Sequence, residues 1–180
     1  FTFLIVNLDN VYKQHNQKKA VIYSINNMTA VDFINGRSHL LMADSAFIDD
    51  ESAFSYNIEN YLVSNGTFHN GEIFYLNDDF NRFFVKKRKN VVTFDGKLIG
   101  LSDGSEFYKE ESDYKIPLDY MIVYGRKQKR LSMLLKVYNI DNLIIDGSVP
   151  RYLARKLTEE ANGLGIEVHD VREEGAFLIQ

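Results

Sequence analysis

The order of elements in residues 118–179 constrains this chain more than any other feature. A nearly unbroken apolar run, LDYMIVYG, hands over to RKQKR, residues 126–130, which carry four positive charges. A helical pattern follows, because Leu131, Leu134, Leu135 and Tyr138 fall on one stripe. NLIIDGS is short and almost wholly apolar, as expected for a strand covered on both faces. Pro150 suits the first turn of a second helix, with Leu153, Leu157 and Ala161 inward and Gly163 beyond its end. IEVHDV and GAFLI read as strands that finish the sheet. Alternation of this kind is α/β.

The first two thirds are mostly β. Residues 20–45 read as a meander of AVIYSI, TAVDFI and SHLLMADS, with Val31 and Phe33 alternating against Asp32 and Ile34. Asn35-Gly36 is expected to close a two-residue hairpin, because a type I′ turn needs positive φ at both central positions. Asp49 and Asp50 can cap a helix that carries Phe54, Ile58, Tyr61 and Leu62 at helical spacing and stops at Asn65-Gly66. Strands resume over 72–101 as EIFYL, NRFFVK, NVVTF and KLIGL, with Asp95-Gly96 as a second hairpin signal. The polar stretch 102–117 reads as a loop.

A chain of 180 residues with 45% apolar content fits one domain, residues 1–180, able to bury a substantial core. No apolar run approaches the roughly 18 to 20 residues of a membrane span. The opening FTFLIVNL is short and lacks an initiator Met, so the chain is expected to be a piece of a longer protein. The absence of cysteine excludes disulfides, thiol nucleophiles and Cys-ligated zinc. Net charge is only −4, but it is unevenly spread. KKRK (86–89) and the cations of 126–130 hold 8 of the 21 basic residues, which leaves 13 bases against 25 acids elsewhere, or −12.

Motifs for catalysis are thin. The four histidines, His15, His39, His69 and His169, form no pair at metal-ligand spacing. Neither a G-x-S-x-G elbow nor a glycine-rich phosphate loop occurs. Ser148, between a strand and a helix, reads as an N-cap before it reads as a nucleophile. Asp44 and Asp146 stand at strand ends, where open α/β sheets place ligands, and are weak candidates to hold Mg²⁺. The basic clusters are the stronger signal. Arg126, Lys127, Lys129 and Arg130 lie where a strand meets a helix, a place that favours anions. Lys86, Lys87, Arg88 and Lys89 follow Phe83 and Phe84, and aromatics beside cations can stack nucleic-acid bases. Lys and Arg also guard sheet edges, and that alternative stays open.

Residues 19–45, KAVIYSINNMTAVDFINGRSHLLMADS, resemble the opening of the metallo-β-lactamase-like domain at the C-terminus of ComEC-type competence proteins. These are bacterial membrane channels for DNA internalisation. NGLGIEVHDVREEGAFLI is similar to the final strand pair of that domain. The departures are plain: Asn26, Asn27 and Met28 stand where the family has a glycine-rich turn, and its H-x-H-x-D-H motif is missing. Gly125, Arg126, Lys127 and Gln128 occupy its later histidine-bearing turn. The resemblance implies a trimmed αββα sandwich with mixed sheets and helices on the outer faces. It also implies an extracytoplasmic, periplasmic domain of a larger membrane protein, partnered by that protein's membrane-embedded portion. No cofactor and no small-molecule ligand are expected. The role expected is non-catalytic, either structural or contacting the DNA backbone through the basic clusters. The alternatives are a metal-dependent phosphodiester hydrolase with carboxylate ligands and a ligand-free scaffold.

Overall fold

In the computed structural model, residues 11–105, 112–128 and 130–180 are described. Helical residues 11–16 (α1) precede β1 (Lys18–Ile22), β2 (Ala30–Asn35) and β3 (Ser38–Ala43), which pair antiparallel as the expected meander. β4 (Gly71–Tyr75) adds in parallel beside β3, and β12 (Phe177–Ile179) adds beside β1, giving the order β12-β1-β2-β3-β4. A second sheet takes β5 (Phe80–Asn81), β6 (Val85–Arg88), β7 (Val91–Phe94), β8 (Lys97–Ser102), β9 (Ile116–Val123), β10 (Tyr138–Ile145) and β11 (Glu167–Asp170). Its order is β11-β10-β9-β8-β7-β6-β5, parallel from β8 to β11 and antiparallel from β8 to β5. Both sheets are therefore mixed.

Alternation decides what each face covers. Val31, Phe33, Leu40 and Met42 point from the first sheet into an interior shared with Val92, Phe94, Ile99, Ile122 and Ile144 of the second. The Phe33 and Phe94 rings meet there at 5.3 Å. The opposite face of the first sheet, with Val21, Ile34 and Leu41, is covered by α2 (Ser45–Ile48), α3 (Glu51–Phe54) and α4 (Asn60–Ser64), which bring Phe47, Ala53 and Leu62. A π-helical turn, Ser55–Glu59, joins α3 to α4 and carries the buried Ile58. On the second sheet, Ala154, Leu157 and Ala161 of α6 (Arg151–Gly163) pack on Leu118, Met121, Leu143 and Ile145. The layers run αββα, as expected. Among the described residues no helix is long and apolar enough to cross a membrane.

Several local expectations are corrected. The stripe of Leu131, Leu134, Leu135 and Tyr138 is not one helix: α5 is a single turn (Leu131–Leu134), and Tyr138 already begins β10. All four positions pack into the same outer core, so the pattern records burial rather than one element. The last two strands finish different sheets, because α7 (Val171–Glu174) carries the chain from β11 across to β12. KKRK is mostly strand, because its first three residues belong to β6. The first hairpin turns on Gly36-Arg37, with Asn35 still paired to Ser38; Asp95-Gly96 turns as expected, with both residues at positive φ.

Asp32 also departs from simple alternation. It lies fully buried between the first sheet and its helices, with Nδ1 of the buried His39 at 3.0 Å from its Oδ1. Gly71 on the neighbouring strand leaves room for that imidazole, whose Nε2 would lie 2.0 Å from a Cβ built there. Gly71→Ala is expected to destabilise the protein by roughly 1–3 kcal/mol through overpacking. Urea unfolding checks this, and an unchanged midpoint would contradict the close approach.

Candidate functional site

The parallel strands β8, β9, β10 and β11 run in the same direction, so their C-terminal ends share one edge of the second sheet. The register of Ser102 with Val123, Val123 with Ile145 and Ile145 with Asp170 fixes that edge. Open α/β sheets place ligands outside such ends. Two sequence candidates, Asp146 after β10 and Asp44 after β3, come together there through Thr29, which precedes β2.

The Thr29 N–H donates to Asp44 Oδ2 at 2.9 Å, and its hydroxyl lies 2.7 Å from Asp146 Oδ1 and 2.9 Å from Ser148 Oγ. Ser148 donates to the same Asp146 oxygen through its hydroxyl, at 2.5 Å, and through its backbone N–H, at 2.9 Å. Ser148 Oγ in turn accepts the Gly125 N–H at 2.7 Å. Ser148 is therefore neither the N-cap nor a nucleophile: the cap position of α6 is Pro150, and the hydroxyl is tied into a buried lattice. Thr29 was not singled out by its sequence context, an ordinary position at the start of a strand.

Burial pushes the Asp146 carboxyl up to about 6; hydrogen bonds from Ser148 and Thr29 oppose the rise, and the charge of Asp44 adds to it. Its Oδ2 is buried without a hydrogen-bond partner.

These residues do not fit a metal centre. Asp44 spends Oδ2 on Thr29 and Oδ1 on the Phe47 N–H at 2.8 Å, capping α2. Asp146 Oδ1 already accepts three donors, which leaves one enclosed oxygen. Among the described residues no three His, Asp or Glu side chains are grouped to hold a metal ion. The histidines are scattered. His39 pairs with Asp32, His169 Nε2 lies 2.8 Å from Gly175 O, and His15 and His69 are exposed.

The basic loop follows β9. Gln128 is buried and folds the loop back, its amide donating to Tyr124 O at 2.6 Å and to Ser102 O at 2.5 Å. Arg126, Lys127 and Arg130 are left exposed, without an ion pair among the described residues; Lys129 lies outside the described residues. The expected helix-end attraction for anions does not operate here. α5 is a single turn, and the Leu131 N–H is taken by Glu160 Oε2 at 2.7 Å. Any anion must be held by side-chain charge.

The second cluster divides by strand alternation. Lys86 and Arg88 are exposed, whereas Lys87 is buried, its ammonium 3.0 Å from Asp78 O and 3.8 Å from Asp79 Oδ1. Burial lowers the Lys87 pKa, against the pull of Asp79 and Asp78. Lys87 is a structural residue and leaves the candidate set. The exposed Lys89 turns the chain at φ 53°, and the neighbouring Asn90 O accepts the Leu101 N–H at 2.8 Å. That bond sets Arg88 and Lys89 beside the C-terminal end of β8. Two clusters some 40 positions apart in sequence thus reach one edge, separated by three strand spacings, about 14 Å. The aromatics do not join them. Phe84 packs toward the interior, and the exposed Phe83 precedes β6, whose start pairs at the far end of β7.

The ComEC C-terminal domain family matches residues 20–180. The chain belongs to that family. The match covers the central segment 49–117, which lies outside the stretches that carry the resemblance in the sequence. A solved structure, the metallo-beta-lactamase fold protein YhfI from Bacillus subtilis, is similar at 10% identity over 91% of this chain and 100% of that one, with a TM-score of 0.49. No curated protein matches.

A folded-state pKa of about 6 against 3.8 for an ordinary carboxyl has a defined sign. The folded form holds the proton more tightly, so this group favours folding at low pH and the benefit fades as pH rises through about 6. Between pH 5 and 7 the loss should be roughly 1 kcal/mol. Urea unfolding at both pH values should show that loss in wild type and not in Asp146→Asn. Parallel pH dependences would contradict the assignment.

Proposed function

We propose that this ComEC C-terminal domain contacts the phosphate backbone of DNA without cleaving it, at the C-terminal edge of its second sheet. The observation that carries the reading is the convergence of Arg88 and Lys89 with Arg126 and Lys127 on that edge, all exposed. None of their side chains has a carboxylate partner among the described residues. Cations left unpaired on a chain with net charge −4 form a local positive field, which attracts a polyanion independently of its sequence. On that edge the two carboxylates singled out as metal candidates, Asp44 and Asp146, are engaged by Thr29, Ser148 and Phe47. Membership of the ComEC family supports DNA uptake as the setting, and we place the domain on the extracytoplasmic side of a larger membrane protein.

One observation favours a second reading. Asp44 and Asp146 do approach each other, as a phosphodiester hydrolase with carboxylate-bound metal would require. Their hydrogen bonds argue for binding over hydrolysis.

Fluorescence anisotropy with labelled single-stranded DNA tests the contact. Affinity should fall steeply with salt, and the double variant Arg126→Ala, Lys127→Ala should flatten the log–log slope by about 1.4, at ~0.7 for each phosphate no longer neutralised. Lys87→Met should leave affinity and slope unchanged. Undetectable binding at low salt, or a slope indifferent to Arg126 and Lys127, would leave the ligand-free scaffold as the correct description.

A further inference from the structure

A second polar constellation lies just beyond Asp146, where the 24–27 loop meets the turn into α6. Gly147 makes the meeting possible: a Cβ there would fall 2.2 Å from Ile25 O. Asn27, in the left-handed region at φ 61°, donates its N–H to Gly147 O at 3.2 Å. A cavity of about 200 Å³ opens beside this contact, lined by Ser24, Ile25, Asn26, Gly147, Arg151 and Arg172. Two guanidinium groups line it, and no carboxylate does.

Arg172 is held rigidly from behind. Its Nη2 donates to Val149 O at 2.7 Å and to Gly147 O, while Nε is buried with no acceptor. Two backbone carbonyls leave part of the donor capacity of this guanidinium unused. Arg151 is exposed and has no ion pair among the described residues. The 13-residue helix α6 starts at Arg151 without a side-chain cap, and the Leu153 and Ala154 N–H groups both return to Pro150 O. The earlier N–H groups of that turn remain for an outside acceptor. Acidic residues stand nearby but outside the cavity. Asp170 spends Oδ1 on the Arg172 N–H, and Glu173 and Glu174 line the adjoining groove, which Arg151 also borders.

We propose that this cavity is an oxyanion site that takes one phosphate group between Arg151 and Arg172, with Ser24 and Asn26 as polar walls. Two cations sharing a small cavity repel until an anion enters, and guanidinium donors match phosphate oxygens in pairs. The site stands on different residues from the DNA-contacting edge, so either can fail alone. The phosphate can come from a free phosphate-bearing molecule or from a nucleic-acid backbone.

The test is an NMR titration of the purified domain with inorganic phosphate at constant ionic strength, balanced with chloride. Saturable shifts are expected at the Ser24, Asn26, Gly147 and Arg151 amides and at the Arg172 Nε–H, and Arg151→Ala should weaken binding tenfold or more. Shifts that chloride reproduces, or that Arg151→Ala leaves intact, would overturn the proposal, as would their absence. Arg151 is exposed, so its variant should fold; the amide spectrum away from the cavity verifies that. Once phosphate binds, a second arm adds a short single-stranded oligonucleotide lacking terminal phosphates. Movement of the same resonances assigns the site to backbone phosphate. Shifts with phosphate alone assign it to a free phosphate ligand.

Discussion

The edge of this sandwich depends on Thr29. Its backbone N–H reaches Asp44 at the end of one sheet and its hydroxyl reaches Asp146 at the end of the other, so a single residue ties the two sheets where their strands stop. Ser148 extends the tie to Gly125, the first residue of the glycine-and-cation turn after β9. Removing a partner from such a buried lattice leaves an unsatisfied group at a cost of about 1–3 kcal/mol. The lattice thereby fixes the ends of strands from both sheets and the loops that leave them.

Charge is arranged around that joint in two tiers. Inside are carboxylates and hydroxyls whose capacity is largely consumed by one another. Outside, on the same edge, stand guanidinium and ammonium groups that lack carboxylate partners among the described residues. Exposed cations without carboxylate partners around such a joint suit the polyanion contact proposed above. Lys87 shows that cation count alone is a poor guide. It belongs to the densest basic run, yet its ammonium points into the sandwich and binds a backbone carbonyl.

The layers and most strands were legible because hydrophobic alternation survives in the sequence, as in Val31 and Phe33 against Ile34. The helix capped by Asp50 and the Asp95-Gly96 hairpin were equally open, since both rest on local chemistry. The stripe from Leu131 to Tyr138 misled because burial on one face looks alike for a helix and for a turn followed by a strand. Which sheet receives β12 was hidden for a different reason: that pairing joins residues about 160 positions apart. The site was half visible. Asp44 and Asp146 stood out at strand ends, but Thr29, Arg151 and Arg172 acquire meaning only from contacts that the fold creates. The burial of Lys87 followed from strand alternation, once Lys86, Lys87 and Arg88 are seen to lie within β6.

The central claim is that this edge binds without a metal and without hydrolysis. Metal analysis of the purified protein, joined to a nuclease assay with Mg²⁺, Mn²⁺ and Zn²⁺ supplied in turn, addresses it most directly. The account expects substoichiometric metal and intact DNA under every condition. One or two tightly held ions per chain together with turnover would contradict it.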